Sequence, residues 1–336
     1  MLRVVVVGLG AIGCACSRAV QMQGGMELVG LFDTDPCKVA RTLGQIDGRG
    51  GNGPDAGPVV TDRIDTATLH DAHAAVVCTT SSFKTIAPTI RQLLVHKVAV
   101  VSSCEQMLWP WYREADLAES IHRDATAAGR AVLGTGVNPG FVMDSLTVVL
   151  ASAVQRVTSV RCVRRVDAAT RRNPLQRKIG ATMAVDEFKT LARTGKIGHQ
   201  GLAESVALLA AGLGRRVESG TVAETLDPVI AEQPIESALG SIEPGRVAGM
   251  HNTARWRGDE LSIELDLTMA VGLSDPIDTI ELDGPVPLRL ALRGGVPGDS
   301  ATIAMLINHL PVVHRAGPGL LTMLDLPPAG CHGRDT

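Results

Sequence analysis

The segment Gly8-Leu9-Gly10-Ala11-Ile12-Gly13 follows the apolar run Val4–Val7 and opens a helix-like stretch, Ala11–Gln23. Glycines so spaced suit a loop that cradles a dinucleotide pyrophosphate. Gly8 permits the tight turn, Gly10 lets the phosphates approach the backbone, and Gly13 lets helix and strand pack closely. The helix N-terminus adds free N–H groups and a favourable dipole. Asp33 stands twenty residues after Gly13, at the end of the second predicted strand, where an acid can accept the ribose hydroxyls. That acid favours NAD and repels a 2′-phosphate. Lys38 and Arg41, on the next predicted helix, either offset the repulsion or are plain solvated charges, so NADP or NAD fits. Thr79-Thr80-Ser81 ends the run Ala74–Thr79, on the side where ligands bind in open parallel sheets. These residues either face the cofactor or cap a turn.

Ser102-Ser103-Cys104-Glu105 closes the run Val98–Ser102 in the same way. A carboxylate there lies within reach of a nicotinamide ring. Glu105 can accept a hydrogen bond from an amine, exchange a proton with a carbonyl oxygen, or simply favour the first turn of a helix. Gly134-Thr135-Gly136-Val137-Asn138-Pro139-Gly140-Phe141 follows the run Ala131–Leu133. Its glycines and X-Pro bond make a rigid, close-approach loop, with Pro139-Gly140 as the centre of a type II turn. It either places Asn138 near the nicotinamide carboxamide or is an interdomain turn. His199, between Gly198 and Gln200, is a site residue or a backbone-bonding loop histidine. Arg171 and Arg172 read as solvated.

Elements must position these groups. The five runs Val4–Val7, Leu28–Phe32, Ala74–Thr79, Val98–Ser102 and Ala131–Leu133 are apolar on both faces, as strands of a helix-covered parallel sheet are. Helical stretches between them include Ala11–Gln23, stopped by Gly24-Gly25, and Trp111–Ala128, opened by Pro110. Gly44–Pro58 reads as a loop. This is the pattern of an α/β, doubly wound Rossmann domain. Beyond it, long strands at Thr158–Val166 and Leu261–Val271, a shorter one at Leu288–Leu292, and helices at Val185–Arg193 and Ala203–Leu213 predict a second, α+β domain with a largely antiparallel sheet. A helix at Asp299–His309, capped by Asp299 or Ser300, precedes an apolar tail through Leu326. The expected division is residues 1–137, 138–298 and 299–336, the last packing back on the first.

Composition narrows the function. The chain has 336 residues, 45% apolar and 20% charged, enough for a sizeable core and against intrinsic disorder. A net charge of −3 argues against nucleic-acid and anionic-membrane partners. No apolar run reaches the ~18 residues of a membrane span. The seven cysteines are scattered and show no metal or redox spacing, which predicts a reduced, cytoplasmic chain without structural metal. Only eight residues are aromatic. Six of them, Phe32, Phe83, Trp109, Trp111, Tyr112 and Phe141, flank the segments singled out above, which predicts that flat side chains wall an apolar pocket.

Gly134–Asp144, with its Asn-Pro-Gly-Phe turn, resembles the corresponding segment of the 2,4-diaminopentanoate dehydrogenases and of native NAD(P)-dependent amine dehydrogenases, within the dihydrodipicolinate-reductase-like group. Ser103–Glu105, Leu175–Gly180, Gly198–Ser205, Gly319–Thr322 and Asp325–Pro327 match as well, so the resemblance spans nearly the whole chain. The His-His-x-x-Lys pattern of the dihydrodipicolinate reductases proper is missing: Val163–Asp167 stands there instead. The resemblance implies reversible oxidative deamination of an amine to a ketone and ammonia. It gives the amine or ammonia to Glu105, and the cofactor to Gly8–Gly13, Asp33, Thr79–Ser81, Ser103 and Asn138. It implies a substrate cavity between the domains lined in part by Phe141, Leu175, Ile179, Met183 and His199, and a homodimer joined through the second sheet.

Overall fold

The computed structural model describes residues 1–48 and 57–331, so the loop expected at Gly44–Pro58 falls partly outside them. Its first residues, 44–47, belong to the helix Leu43–Asp47 and are not loop. Thr42 accepts the Gln45 N–H and Gln45 returns a bond to the Thr42 N–H, a reciprocal cap that outweighs the local glycine. The chain divides into two compact units, Met1–Gly140 with Gly298–Thr336, and Phe141–Pro297.

The first unit carries β1 (Leu2–Val7), β2 (Met26–Phe32), β3 (Val60–Thr61), β4 (Ala74–Val77), β5 (Ala99–Ser102) and β6 (Ala131–Gly134). All pair in parallel, in the order β6-β5-β4-β1-β2-β3, with a returning strand Gly319–Leu321 beside β6. The order reverses between β1 and β4, the switch point where ligands bind in such sheets. Val4–Val7 shows why apolar runs become central strands. Val5 and Val7 point into the core under the helix Phe83–Val95, while Val4 and Val6 point into that shared with the helix Gly298–Arg315.

Local chemistry shifts several expected boundaries. The stretch expected as one helix from Trp111 is a single 3-10 turn, Pro110–Tyr112, followed by the helix Ala115–Ala128. The last helix begins at Gly298 and runs through Pro311 to Arg315, so Asp299 lies in its first turn and is not its cap. Lys38 and Arg41 sit in turns between β2 and the helix Leu43–Asp47, not on a helix.

The second unit is built on β7 (Ser159–Asp167), β8 (Ala223–Ile230), the hairpin β9 (Ile235–Ser237) and β10 (Gly240–Ile242), β11 (Val247–Arg257), β12 (Ser262–Ala270), β13 (Ile277–Asp283) and β14 (Leu288–Arg293). The main sheet runs β14-β13-β7-β12-β11-β8, antiparallel except for β7 with β12. One face is apolar: Cys162, Leu265, Leu267, Ile280 and Leu282 are buried. Arg164 and Asp278 face that core too, 2.6 Å apart and at most 2% exposed. The Val296 N–H donates to Asp278 at 2.7 Å, and Arg164 donates to the Val296 carbonyl at 2.8 Å. Removing one partner of such a pair strands the other charge and costs ~3–5 kcal/mol.

Candidate active site

Each sequence-predicted group of the first unit lies at the carboxyl end of a parallel strand, and backbone bonds lash these ends together. Gly8 follows β1 and donates its N–H to Phe32 at 2.8 Å, at the end of β2. Cys78 and Ser103, past β4 and β5, donate to the carbonyls of Val7 at 2.8 Å and Val77 at 3.1 Å. Thr135, past β6, donates to Ser102 at 2.9 Å.

The glycine loop explains its own composition. Gly8 has φ +87, and a Cβ on it would meet the Cys78 carbonyl oxygen at 2.7 Å. A Cβ on Gly13 would collide with the Gly8 carbonyl, so close packing of helix on strand needs hydrogen there. Above Gly10 nothing lies within 4 Å, which leaves the helix N-terminus open to a ligand. A cleft of about 400 Å³ opens beside Leu9, Gly10 and Ala11, walled by Arg18, Lys38 and Asp47. This open cradle, with the Asp33 carboxylate at its edge, fits a dinucleotide.

Asp33 is tightly held. Its Oδ2 accepts the Leu9 N–H at 2.7 Å and the Lys38 ammonium at 2.9 Å; its Oδ1 accepts the Asp35 N–H at 2.9 Å. Partial burial pushes the carboxyl up, but the Asp35 N–H, the Lys38 ammonium and the Leu9 N–H together draw it below the usual aspartate value. Lys38 is in turn raised: its own desolvation lowers it, and the carboxylates of Asp33 and Asp35 outweigh that. Lys38 is thus an ion-pair partner of Asp33 rather than a free surface charge.

Glu105 opens the 3-10 turn Glu105–Met107 directly after β5 and is half-buried. Its neighbours are pinned. Ser102 Oγ accepts the Cys104 N–H at 3.1 Å and donates to Val77 at 3.1 Å. Gln106 donates its N–H to Ser81 at 3.3 Å, and its side-chain carbonyl accepts the Phe83 N–H at 2.9 Å. The turn bearing Glu105 is therefore stitched to the Thr79–Ser81 loop, where Thr80 Oγ1 accepts the Ser82 N–H at 3.2 Å.

The Asn138–Pro139 peptide is cis, and Gly140, at φ 132, lies well beyond the roughly +80° of the second central residue of the type II turn expected. Gly140 has φ +132, and a Cβ there would strike the Gly136 backbone. Both polar atoms of the Asn138 amide, and the Thr135 hydroxyl, are buried with no hydrogen-bond partner among the described residues. Such orphans call for a ligand or water. Thr135 is a site candidate that sequence reasoning quotes only as part of the loop; its hydroxyl is unremarkable until burial is known.

The second unit places its candidates separately. Leu175 lies in the helix Asn173–Lys178, Ile179 caps that helix and is 1% exposed, and Phe141 and Met183 are half-buried. His199 sits between Gly198 and Gly201, both at φ +102, just before the helix Leu202–Gly212. Sequence reasoning misses Asp144. It is fully buried, accepts the Ser145 N–H at 2.6 Å and takes a bond from Ser205 Oγ at 2.7 Å, tying the first residues of this unit to the Gly198–Ser205 segment. Glu204, next to Ser205 in the chain, is also fully buried. The aromatic expectation needs correction. Phe32 and Phe83 are at most 2% exposed and fill the core beneath the first sheet, so they do not wall a pocket. Trp109 and Trp111 remain half-buried near Glu105, rings 5.9 Å apart.

The 2,4-diaminopentanoate dehydrogenase C-terminal domain matches residues 141–335. Over 334 residues the chain is 30% identical to 2,4-diaminopentanoate dehydrogenase of Acetoanaerobium sticklandii, covering 97% of this chain and 93% of that protein. The chain belongs to the 2,4-diaminopentanoate dehydrogenase family. The structure of an amine dehydrogenase from Mycobacterium smegmatis superposes with a TM-score of 0.85 at 25% identity, over 98% of this chain and 97% of that one. A probable dehydrogenase from Thermotoga maritima shares the fold at a TM-score of 0.55 and 16% identity, over 96% of this chain and 92% of that one. The family thus accounts for both units, the parallel sheet with its glycine loop and the mixed sheet that follows in the chain.

Proposed function

We propose that the chain is an NAD(P)-dependent amine dehydrogenase that converts a small primary amine, NAD(P)⁺ and water into a ketone, ammonia, NAD(P)H and a proton, reversibly. The observation that carries the reading is a carboxylate, Glu105, on a pinned turn at the carboxyl edge of a sheet whose first loop is an open glycine cradle. When bound, the dinucleotide supplies or accepts the hydride. Gly8–Gly13 hold its pyrophosphate, Asp33 its ribose, and Thr79–Ser81 and Ser103 line its path. Asn138 offers a donor and an acceptor to a carboxamide. Glu105 holds ammonia through a charge-assisted hydrogen bond, moves protons to and from the carbinolamine, and stabilises the iminium that forms on loss of water.

Phe141, Leu175, Ile179 and Met183, with His199, are assigned to the substrate, and the four apolar side chains favour a simple aliphatic amine. The name of the 30%-identical relative favours a second reading, 2,4-diaminopentanoate itself. Assay of 2,4-diaminopentanoate, pentan-2-amine and cyclohexylamine separates them: turnover of the simple amines is expected, and strong preference for the diamino acid would overturn that choice. Turnover of none of the three would defeat the function itself.

The same reading includes a homodimer formed by the second sheet. On its polar face Arg255, Glu264, Arg161, Glu281 and Arg289 stand side by side on successive strands, an alternating row of charge. A second copy, reversed and shifted by one strand, sets two Arg and both Glu of each row against opposite charges and leaves one end Arg of each row outside the overlap; the pairing is self-complementary, as an isologous interface requires.

A further inference from the structure

The amino ends of the first sheet carry a second feature that the amine chemistry does not use. A cleft of about 390 Å³ opens between Gly24, Gly25 and Met26 at the start of β2, His73 just before β4, and His314 and Arg315 in the last turn of the final helix. The two histidine rings lie 5.3 Å apart, centroid to centroid. The Arg3 N–H donates to His73 Nδ1 at 3.1 Å, which leaves the proton of the neutral ring on Nε2. Arg3 Nε and His314 Nδ1 are buried without a hydrogen-bond partner among the described residues. Among the described residues no aspartate or glutamate lines the cleft. Glu27, which is half-exposed, stands 3.9 Å from Arg3 Nε, beyond hydrogen-bond reach.

We propose that this cleft is a binding site for a small oxyanion, a phosphate or carboxylate group, held by His314, His73 and Arg315 with Arg3 behind them. Cationic and donor groups converging on a cleft that no described carboxylate lines are what such an anion satisfies. The final helix ends here, so its C-terminal carbonyls alone could account for His314 and Arg315. They do not account for His73 and Arg3, which come from the strand side. The field agrees. Burial first, then the charges of His73, Arg130 and Arg315, lower the His314 pKa, and every charged neighbour acting on it is cationic. A bound anion reverses that push, so binding takes up a proton and tightens as pH falls through the histidine range, opposed by the Glu27 carboxylate 3.9 Å from Arg3 Nε.

The test follows the histidine ring resonances of the full chain while inorganic phosphate, or acetate, is titrated against a chloride control. Expected is a saturable shift of both His73 and His314, with affinity about tenfold weaker in the double variant His314→Ala, Arg315→Ala. Phosphate alone binding marks a dianion site; acetate binding equally marks a carboxylate site. Gly10→Ala, which alters the glycine cradle at the opposite edge, should leave the titration unchanged. Should the double variant fail to fold, His73→Gln and Arg315→Ala are read singly and each should weaken binding. Absence of a saturable shift, or unchanged affinity in folded variants, overturns the proposal. So does loss of phosphate binding in Gly10→Ala, which would move the phosphate to the cradle and leave the amine dehydrogenase reading standing.

Discussion

Asp33 and Lys38 form an ion pair 2.9 Å long, and in the proposed cofactor site its two charges would pull in opposite directions on cofactor choice. The carboxylate would accept ribose hydroxyls and repel a 2′-phosphate, and the ammonium would cancel that repulsion. Lys38→Ala therefore leaves the acid uncompensated, and the ratio of kcat/KM for NAD over NADP should rise about tenfold. Asp33→Asn should move the ratio the other way. Kinetics with both cofactors check this, and an unchanged ratio in both variants would show that the pair does not touch the ribose. The sequence alone leaves Lys38 as either an offsetting or a solvated charge. Spacing locates Asp33, because the glycine loop and β2 fix its distance, but a side chain in a turn points where the turn takes it. Thr135, Asp144 and Glu204 stay hidden for the related reason that their chemistry lies in burial, which residue type does not encode.

At the scale of elements, two glycines of one loop separate folding from binding. Gly13→Ala drives a Cβ into the Gly8 carbonyl and should destabilise the protein by ~1–3 kcal/mol in urea unfolding, despite alanine's better helix propensity. Gly10→Ala meets open space, so stability should hold within ~0.5 kcal/mol while cofactor affinity falls. The final helix offers a pH test. His309 is 1% exposed, its Nδ1–H donates to Met305 at 2.6 Å, and burial lowers its pKa below 6.5. A depressed base favours the folded state while neutral. Its contribution is full above pH 6.5 and is lost as pH falls through the lowered value. Unfolding free energy should drop on that acid side, and His309→Leu should flatten the drop; an identical pH profile in the variant would assign it to other groups, His314 among them.

These elements also show what sequence patterns carry. Runs such as Val4–Val7 are legible because both sheet faces are covered and every residue is apolar. β13 escapes a reading by pattern because Asp278 occupies a core-facing position of the alternation Asp278, Ile280, Leu282, and its partner Arg164 is distant in sequence. β11 escapes it because Asn252 and Thr253 are buried polar residues inside the strand. The helix Phe83–Val95 escapes it too, and it carries Pro88 within it.

At the scale of the whole molecule stand the proposed dimer and the proposed reaction. Glu281→Arg turns the alternating row into a run of like charge from Arg161 to Arg289, so light scattering should report a shift toward monomer. Retention of the parent mass in a folded variant would place the interface elsewhere. The central claim is that ammonia is a reactant and Glu105 its partner, and one measurement tests it most directly: NAD(P)H consumption with a ketone, with and without ammonium, by the parent and by Glu105→Ala that still binds cofactor. Consumption only with ammonium is expected, with a fall of about 10²–10⁴-fold in the variant. Consumption unchanged without ammonium, or a variant within a few fold of the parent, would contradict it.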